Sequence, residues 1–166
     1  MWQFRDDDLT DPRSRAFVLE HLADMYRQSP DESVHALDVD ALRAPEVRFV
    51  TVWRDEEILA VGGYRRTGPQ DAELKSMRTA PSVRGQGLGR LLLRHLTDLA
   101  RAEGITTLWL ETGSTADFRA ARGLYLSEGY TPCGPFGDYR EDPESVFYRR
   151  DLTQGSMQAV PGTLEQ

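Results

Sequence analysis

The stretch RGQGLGRLLLRHLTDLA, residues 84–100, joins a glycine-rich loop to the most regular helical pattern in the chain. One face of this predicted helix is apolar and carries Leu88, Leu91, Leu92, Leu96 and Leu99. Three glycines within five residues let the backbone turn tightly before the helix, where unpaired N–H groups and the helix dipole favour an anion. Arg84 and Arg90 flank the glycines. The stretch predicts a phosphate-binding loop; the alternative is a turn that only connects a strand to the helix.

Two common phosphate loops are excluded by the residues present. A Walker A loop requires Gly-Lys-Ser/Thr before its helix, and the chain has no such triplet. The dinucleotide motif G-x-G-x-x-G requires glycine where the chain has Arg90. The local charge favours an anionic ligand, because residues 72–104 carry 6 basic and 3 acidic side chains in a protein of net charge −7. Ordinary scatter of arginines would account for the same excess.

Strands precede the loop. Alternation of period two predicts strands at 47–53 and 58–64, joined as a hairpin, and a third strand at 72–79. The pair Gly62-Gly63 predicts a bulge or a close approach of another backbone. The other predicted elements are a strand at 2–5, helices at 13–28, 39–43 and 118–127, and strands at 105–110, 130–133 and 145–151.

The composition is that of a folded globular protein. Of 166 residues, 39% are hydrophobic and 28% are charged, which excludes a mostly disordered or fibrous chain. The acidic balance argues against non-specific nucleic-acid binding, which needs a basic face. No apolar run approaches the roughly 20 residues that cross a bilayer, so no membrane partner is expected. Acidic residues near the start do not resemble a secretory signal, and a cytoplasmic location is predicted.

Cysteine and histidine usage predicts neither a disulfide nor a metal site. Cys133 is the only cysteine, which excludes an internal disulfide and the cysteine-based zinc patterns. His21, His35 and His95 are too scattered to predict a metal centre. Cys133 is interpreted as a packing residue.

The motif Arg84-x-x-Gly87-x-Gly89 resembles the acyl-CoA pyrophosphate loop of the GCN5-related N-acetyltransferases, the GNAT family. The segment ELKSMRTAP at 73–81 resembles the strand before that loop, and ARGLYLSEGY at 121–130 resembles the later helix and turn of the family. Loop, strand and helix in this order and spacing are far more specific than the loop alone. The resemblance covers about residues 45–151, and the segment 136–147 is similar to that of small bacterial members.

The resemblance implies a single-domain α/β (α+β) fold. Its centre is a mixed, mostly antiparallel twisted sheet of about six or seven strands, flanked by about four helices. Residues 1–152 are assigned to the N-acetyltransferase domain. Residues 153–166 are polar and without periodicity, and they are predicted to be a disordered C-terminal tail.

The resemblance also implies an enzyme that transfers an acetyl group directly from acetyl-CoA to the primary amine of a small molecule, without a metal. The backbone of Met77 and Thr79 would hold the pantetheine arm through strand-like hydrogen bonds. The pyrophosphate would be bound by Arg84, Gly85, Gln86, Gly87, Leu88, Gly89 and Arg90.

Two side chains are predicted to be catalytic on the same basis. Tyr125 occupies the position of the general acid of the family, and a phenol can protonate a leaving thiolate during transfer. Glu73 aligns with a strand glutamate that is the general base in some members, although a carboxylate is a poor base unless burial raises its pKa. Phe118 stands where many members have a cofactor-binding asparagine, so that contact is in doubt. Other candidates for the base are Glu111, Asp138, Tyr139, His21 and His35.

Other functions and several acceptors remain open at this level. A non-catalytic acyl-CoA-binding module would keep the loop without needing Tyr125, and a transferase for a longer acyl group would differ only in its acyl pocket. Residues 1–46 carry 5 basic and 11 acidic side chains, which favours a cationic acceptor unless they form a solvated surface. Arg140, Arg149 and Arg150 favour a carboxylate-bearing acceptor instead. The family often forms homodimers, but no residue here identifies an interface.

Overall fold

Seven strands form one sheet in the computed structural model, which describes residues 1–153. The elements are β1 (Gln3–Asp6), α1 (Pro12–Gln28), α2 (Val39–Leu42), β2 (Val47–Arg54), β3 (Glu57–Arg66), β4 (Asp71–Thr79), α3 (Leu88–Ala102), β5 (Thr107–Gly113), α4 (Arg119–Ser127), β6 (Thr131–Cys133) and β7 (Ser145–Asp151). The tail predicted for 153–166 lies outside the described residues from position 154 onward.

The strand order is β1-β2-β3-β4-β5-β7-β6. Every neighbouring pair is antiparallel except β4 and β5, which are parallel. The prediction of a mixed, mostly antiparallel sheet flanked by four helices is therefore confirmed. The hairpin of β2 and β3 and the helix α3 are also confirmed.

The sheet separates two hydrophobic cores. Alternating residues of β2 point to opposite faces, so Phe49 packs with Val18 of α1, whereas Val50 packs with the leucines of α3. The buried leucines of α3 are Leu88, Leu92, Leu93 and Leu96, whereas Leu91, which was predicted to lie on the buried face, is 43% exposed. The two cores hold α1 and α3 against the same central strands, and this fixes both walls of the site described below.

Gly62-Gly63 lies where the pairing of β3 with β4 shifts register, so the predicted irregularity is confirmed. A Cβ on Gly63 would lie 2.4 Å from the carbonyl oxygen of Arg48 on the neighbouring strand. That oxygen belongs to the backbone of the sheet and cannot move without breaking the pairing of β2 with β3. The close approach therefore requires glycine at this position.

We expect Gly63→Ala to lower the free energy of unfolding by about 2–3 kcal/mol, as overpacking of a rigid site does. Gly123→Ala is the matched control, because Gly123 lies within α4 with open space where its Cβ would be. Alanine there is expected to stabilise the helix by up to about 1 kcal/mol. Urea unfolding of both variants measures the difference; equal effects would contradict the packing argument.

Strands β4 and β5 diverge after a short paired segment. Their parallel pairing extends only over Asp71–Glu73 and Thr107–Trp109, although β4 continues to Thr79 and β5 to Gly113. The strand predicted at 105–110 therefore begins and ends later than expected, because antiparallel pairing with β7 supports all of β5. The divergence opens a gap through the sheet between the N-terminus of α3 and the far side of the molecule.

Candidate active site

The glycine loop presents backbone N–H groups at the start of α3. Gly85 and Gly87 have φ of 80° and 85°, a left-handed conformation that favours glycine, and Gly87 is the N-cap of the helix. The N–H groups of the first helical turn have no acceptor within the helix. The N–H of Gln86 differs, because it donates to the carbonyl oxygen of Val83 at 3.3 Å. The start of α3 therefore offers free N–H groups to an anion, whereas the N–H of Gln86 is already hydrogen-bonded.

The side chain of Arg90 clamps two helices together. Its guanidinium donates to Ser127 at 2.8 Å and to Glu128 at 2.6 Å, both at the C-terminal end of α4, and Arg94 adds a bond to Glu128 at 2.9 Å. These bonds lower the pKa of the Glu128 carboxyl. The other arginine that flanks the glycines, Arg84, makes no ion pair within residues 1–153, and its Nε donates to the carbonyl oxygen of Thr79 at 3.4 Å.

A cavity of about 500 Å³ begins at this loop and runs into the gap between β4 and β5. Its lining includes most of the residues predicted to bind the cofactor: Met77, Thr79, Arg84, Gly85, Gly87, Leu88, Gly89 and Arg90. Gln86 does not line it. We call this space the donor cavity.

A chamber of about 120 Å³ continues the donor cavity through the sheet. Tyr125, Met77 and Phe118 line both spaces, whereas Glu111 and Glu73 line the chamber but not the donor cavity. The ring of Phe118 packs directly against Gly113, where a Cβ would lie 2.1 Å from the ring. Phe118 therefore supplies an apolar wall in place of a hydrogen bond.

Tyr125 of α4 reaches the chamber from the side of the second helix. The residue is 6% exposed, and its hydroxyl makes no hydrogen bond within residues 1–153. Burial raises the pKa of this phenol, and the carboxylate of Glu111 raises it further. Tyr125 therefore remains protonated at neutral pH with a proton to donate.

Glu111 of β5 lies across the chamber from Tyr125. Its carboxylate accepts a hydrogen bond from Ser145 of β7 at 2.7 Å. Burial raises the pKa of the Glu111 carboxyl, while the hydrogen bond from Ser145 opposes the increase. A carboxylate with a raised pKa is a stronger base than an ordinary glutamate.

Glu73 is held in a dense polar cluster. Its carboxylate lies 3.2 Å from Lys75 and 3.3 Å from Arg65, and Tyr139 donates a short hydrogen bond to it. Lys75 also donates to the hydroxyl of Tyr139 at 3.0 Å and to the carbonyl oxygen of His35 at 2.9 Å. The cluster ties β4 to the α1–α2 connection and to the loop before β7, so Glu73 holds three segments together.

On the far side of the sheet the chamber opens into a larger cavity of about 950 Å³, here called the acceptor cavity. Glu73, Lys75 and His35 line both spaces. Further lining comes from the α1–α2 connection, the edge of β3 and β4, and the loop 136–142. The chamber therefore shares lining residues with both cavities and lies between them.

Of the other predicted base candidates, His21, Asp138 and Tyr139 lie in less suitable environments, whereas His35 lines the chamber as Glu111 does. His21 lines the chamber, but burial and nearby Arg78 lower its pKa to about 4. Asp138 is exposed in the wall of the acceptor cavity. The pKa of Tyr139 is raised by burial and by Glu73, so the phenol holds its proton. His35 packs edge-on against Tyr139 with ring centroids 4.9 Å apart.

Sequence reasoning did not identify Lys75, Arg65 or Arg122 as site residues. Lys75 and Arg65 gain their roles from strand register, and a hydrophilic strand position gives no such signal by itself. Arg122 donates to the carbonyl oxygens of Gly113 and Thr115, each at 2.8 Å, and so fixes the connection from β5 to α4. Within residues 1–153 no cluster of three metal-ligating side chains occurs, and no helix could span a membrane.

Comparison with known proteins agrees with this geometry. The profile of the Acetyltransferase (GNAT) family matches residues 11–130. YedL of Escherichia coli strain K12, named an uncharacterized N-acetyltransferase, is 43% identical over 156 residues, which are 94% of this chain and 98% of that protein. The similarity therefore extends over nearly the whole length of both proteins.

Solved structures share the fold. A protein from Klebsiella pneumoniae, assigned as an acyl-CoA N-acyltransferase, aligns with a TM-score of 0.74 at 29% identity and covers 92% of this chain and 98% of its own. An aminoglycoside 6′-N-acetyltransferase in complex with coenzyme A aligns with a TM-score of 0.67 at 17% identity, over 90% and 97% of the two chains. The latter likeness concerns the fold alone. With a matching profile over most of its length and a 43% identical relative, this chain belongs to the GNAT family of acetyltransferases.

Proposed function

We propose that this chain transfers an acetyl group from acetyl-CoA to the primary amine of a small molecule, within a single complex of enzyme and both substrates. One observation carries the proposal. The gap between β4 and β5 joins the donor cavity to the acceptor cavity through a chamber that contains Tyr125 and Glu111. Two substrates that enter from opposite faces of the sheet meet there.

The donor cavity suits an acyl-CoA. Its loop offers helix N-terminal N–H groups and Arg84 to a pyrophosphate, and the edge of β4 that no longer pairs with β5 would offer backbone groups of Met77 and Thr79 to the pantetheine amides. The bound thioester supplies the acyl group. The name of the Klebsiella pneumoniae neighbour, an acyl-CoA N-acyltransferase, supports this class of donor.

The chamber favours a short acyl group. Its volume is about 120 Å³, and Leu110, Phe118 and Ala121 close its apolar side. A two-carbon acyl group fits such a space, whereas a long chain would have to displace these side chains from close packing. This supports acetyl over a longer acyl group.

The side chains of the chamber can perform both proton transfers. Glu111 accepts a proton from the attacking amine as the new N–C bond forms, directly or through one water. Tyr125 donates its proton to the sulfur as the C–S bond breaks, so CoA leaves as the thiol. Tyr125 is then reprotonated by solvent, to which Glu111 returns its proton. We assign Glu73 to positioning, because Lys75, Arg65 and Tyr139 already occupy its carboxylate.

A pair of glycine variants tests the donor site. Gly87→Ala is expected to weaken acetyl-CoA binding by about tenfold or more, because alanine disfavours φ of 85° by about 1–2 kcal/mol and its methyl group would face the ligand. Gly104 has φ of 83° at the other end of α3 and lies away from the donor cavity, so Gly104→Ala carries the same strain without the binding defect. Calorimetric titration with acetyl-CoA, CoA and NADH measures the affinities.

The outcomes separate binding from transfer. Binding of acetyl-CoA and CoA but not NADH, together with CoA release in the presence of primary amines, supports the proposal. Acetyl-CoA binding that is absent, or is weakened equally by Gly87→Ala and Gly104→Ala, contradicts the donor site. Acetyl-CoA binding without transfer to any amine leaves an acyl-CoA-binding module and contradicts the enzymatic proposal for small amines.

A further inference from the structure

We infer that the acceptor is an amino acid: a compact molecule whose primary amine enters the chamber, whose carboxylate binds Arg65, and whose apolar side chain packs against Trp109 and Phe136. This inference rests on the proposed function and names the substrate class of the same site. It follows from the distribution of charge, unused hydrogen-bond donors and aromatic surface in the acceptor cavity.

Arg65 is the inner cation with donors to spare. Its side chain is 37% exposed and lines the acceptor cavity, and its single contact with Glu73 spans 3.3 Å from Nη2 to Oε1. Within residues 1–153 its Nε and Nη1 groups make no hydrogen bond. A planar guanidinium with free donors in a concave site is suited to bind a carboxylate.

Lys75 and Arg65 share the carboxylate of Glu73. Lys75 is 8% exposed, and its three N–H groups are directed to His35, Tyr139 and Glu73. The carboxylate of Glu73 also receives the hydrogen bond from Tyr139. Glu73 contacts both cations at nearly equal distances, 3.2 Å from Lys75 and 3.3 Å from Arg65, so one carboxylate serves two positive charges and a carboxylate from the ligand would balance the second.

Aromatic rings form the wall beside Arg65. Trp109 and Phe136 have ring centroids 5.2 Å apart, and Phe136 packs against Tyr139 with centroids 5.0 Å apart. The indole N–H of Trp109 donates to Asp71 at 3.0 Å, and the guanidinium of Arg149 lies over the indole 5.7 Å from the ring centroid, so the remaining apolar surface of the ring is what a ligand can contact. Such a wall favours an acceptor with an apolar or aromatic side chain.

The distance between Arg65, which would bind the carboxylate, and Glu111, which would face the amine, fits a compact acceptor. Arg65, Glu73 and Trp109 lie side by side across β3, β4 and β5, and Glu111 follows Trp109 on the same face two residues along. Strand spacing and rise place the Cα atoms of Arg65 and Glu111 about 12 Å apart. Hydrogen bonds of about 3 Å to each group take up half of this distance, so the acceptor between them must be a compact molecule.

The rim of the cavity carries the opposite charge. Glu32, Asp138 and Glu141 are exposed there, against the single exposed cation Arg140. This rim would attract any ammonium group, including that of an amino acid, but it lies outside the inner wall formed by Arg65 and Trp109. A polyamine is therefore the competing acceptor that the experiment must distinguish.

The experiment compares matched acceptors by the rate of CoA release. The amino acids L-phenylalanine, L-methionine and L-leucine are assayed beside the amines that lack only the carboxylate: phenethylamine, 3-(methylthio)propylamine and isoamylamine. Spermidine represents the polyamines. For at least one pair, the amino acid is expected to have a kcat/KM about tenfold or more above that of its amine, since a charge-assisted pair contributes that much.

Arg65→Gln tests the residue. The variant is expected to reduce the amino acid preference to near unity through a higher KM for the amino acid. Arg54→Gln is the control, because Arg54 is exposed at the end of β2 and outside the cavity. An unchanged preference in Arg65→Gln overturns the inference, as does transfer only to spermidine or to the decarboxylated amines, while the transferase proposal stands. No transfer to any of the seven acceptors, with acetyl-CoA still bound, overturns both.

Discussion

Replacing Tyr125 by phenylalanine is expected to lower kcat by about 100-fold or more, since a general acid contributes roughly 10²–10⁴-fold to proton-transfer steps. The affinity for acetyl-CoA should remain within about twofold, because the ring and its packing against Tyr130 and Tyr148 are retained. The variant loses one hydroxyl, which makes no hydrogen bond within residues 1–153 and lies in the chamber. Without its proton, the sulfur would have to leave as a thiolate in an apolar space.

The adjacent tyrosine provides a matched control for this variant. Tyr130 is 2% exposed, its hydroxyl is buried without a hydrogen-bond partner in the described part of the chain, and it lines neither cavity. Tyr130→Phe removes the same atom from a neighbouring ring and should leave kcat unchanged, with equal or greater stability. Steady-state kinetics and acetyl-CoA titration measure both variants. Equal losses of kcat in the two variants, or no loss in Tyr125→Phe, would contradict the role of Tyr125.

Local patterns in the sequence predicted the parts of the site that depend on nearby residues. Leucines at helical spacing predicted a buried face and the glycines before them predicted a turn, so α3 and its loop follow from one continuous stretch, although Leu91 of that pattern is exposed. The pair Gly62-Gly63 likewise predicted the irregular pairing of β3, since a residue without Cβ marks the place where another chain segment comes close.

Contacts between distant segments were not predictable in the same way. Glu73 meets Tyr139 across 66 positions of sequence, and the connection depends on the path of the loop before β7. The side chain of Arg90 could have been oriented toward a phosphate or toward Glu128, and only the packing of α4 against α3 decides between them. The divergence of β4 from β5 has no local signal, because both strands remain regular in sequence where their pairing ends.

Glu111→Gln is expected to lower kcat by about 100-fold or more at neutral pH, in the range of a lost general base. The sign of the pH dependence follows from the raised pKa of this carboxyl. A base acts only when deprotonated, and Glu111 loses its proton at a higher pH than an ordinary glutamate. The kcat of the unmodified protein should therefore decrease as the pH is lowered through that raised pKa, and Glu111→Gln should lose this dependence.

Glu73→Gln distinguishes the base from the positioning residue. Removing the charge of Glu73 leaves Lys75 buried without its carboxylate, which costs about 3 kcal/mol or more in comparable buried pairs. This variant should therefore lower Tm and raise KM for the acceptor. Its kcat should still decrease as the pH is lowered, as in the unmodified protein. Glu111→Gln should leave Tm unchanged, because Ser145 can still hydrogen-bond the amide and the fold loses no ion pair. It should instead abolish the decrease of kcat at low pH. If Glu73→Gln loses the decrease of kcat at low pH and Glu111→Gln keeps it, the base is Glu73.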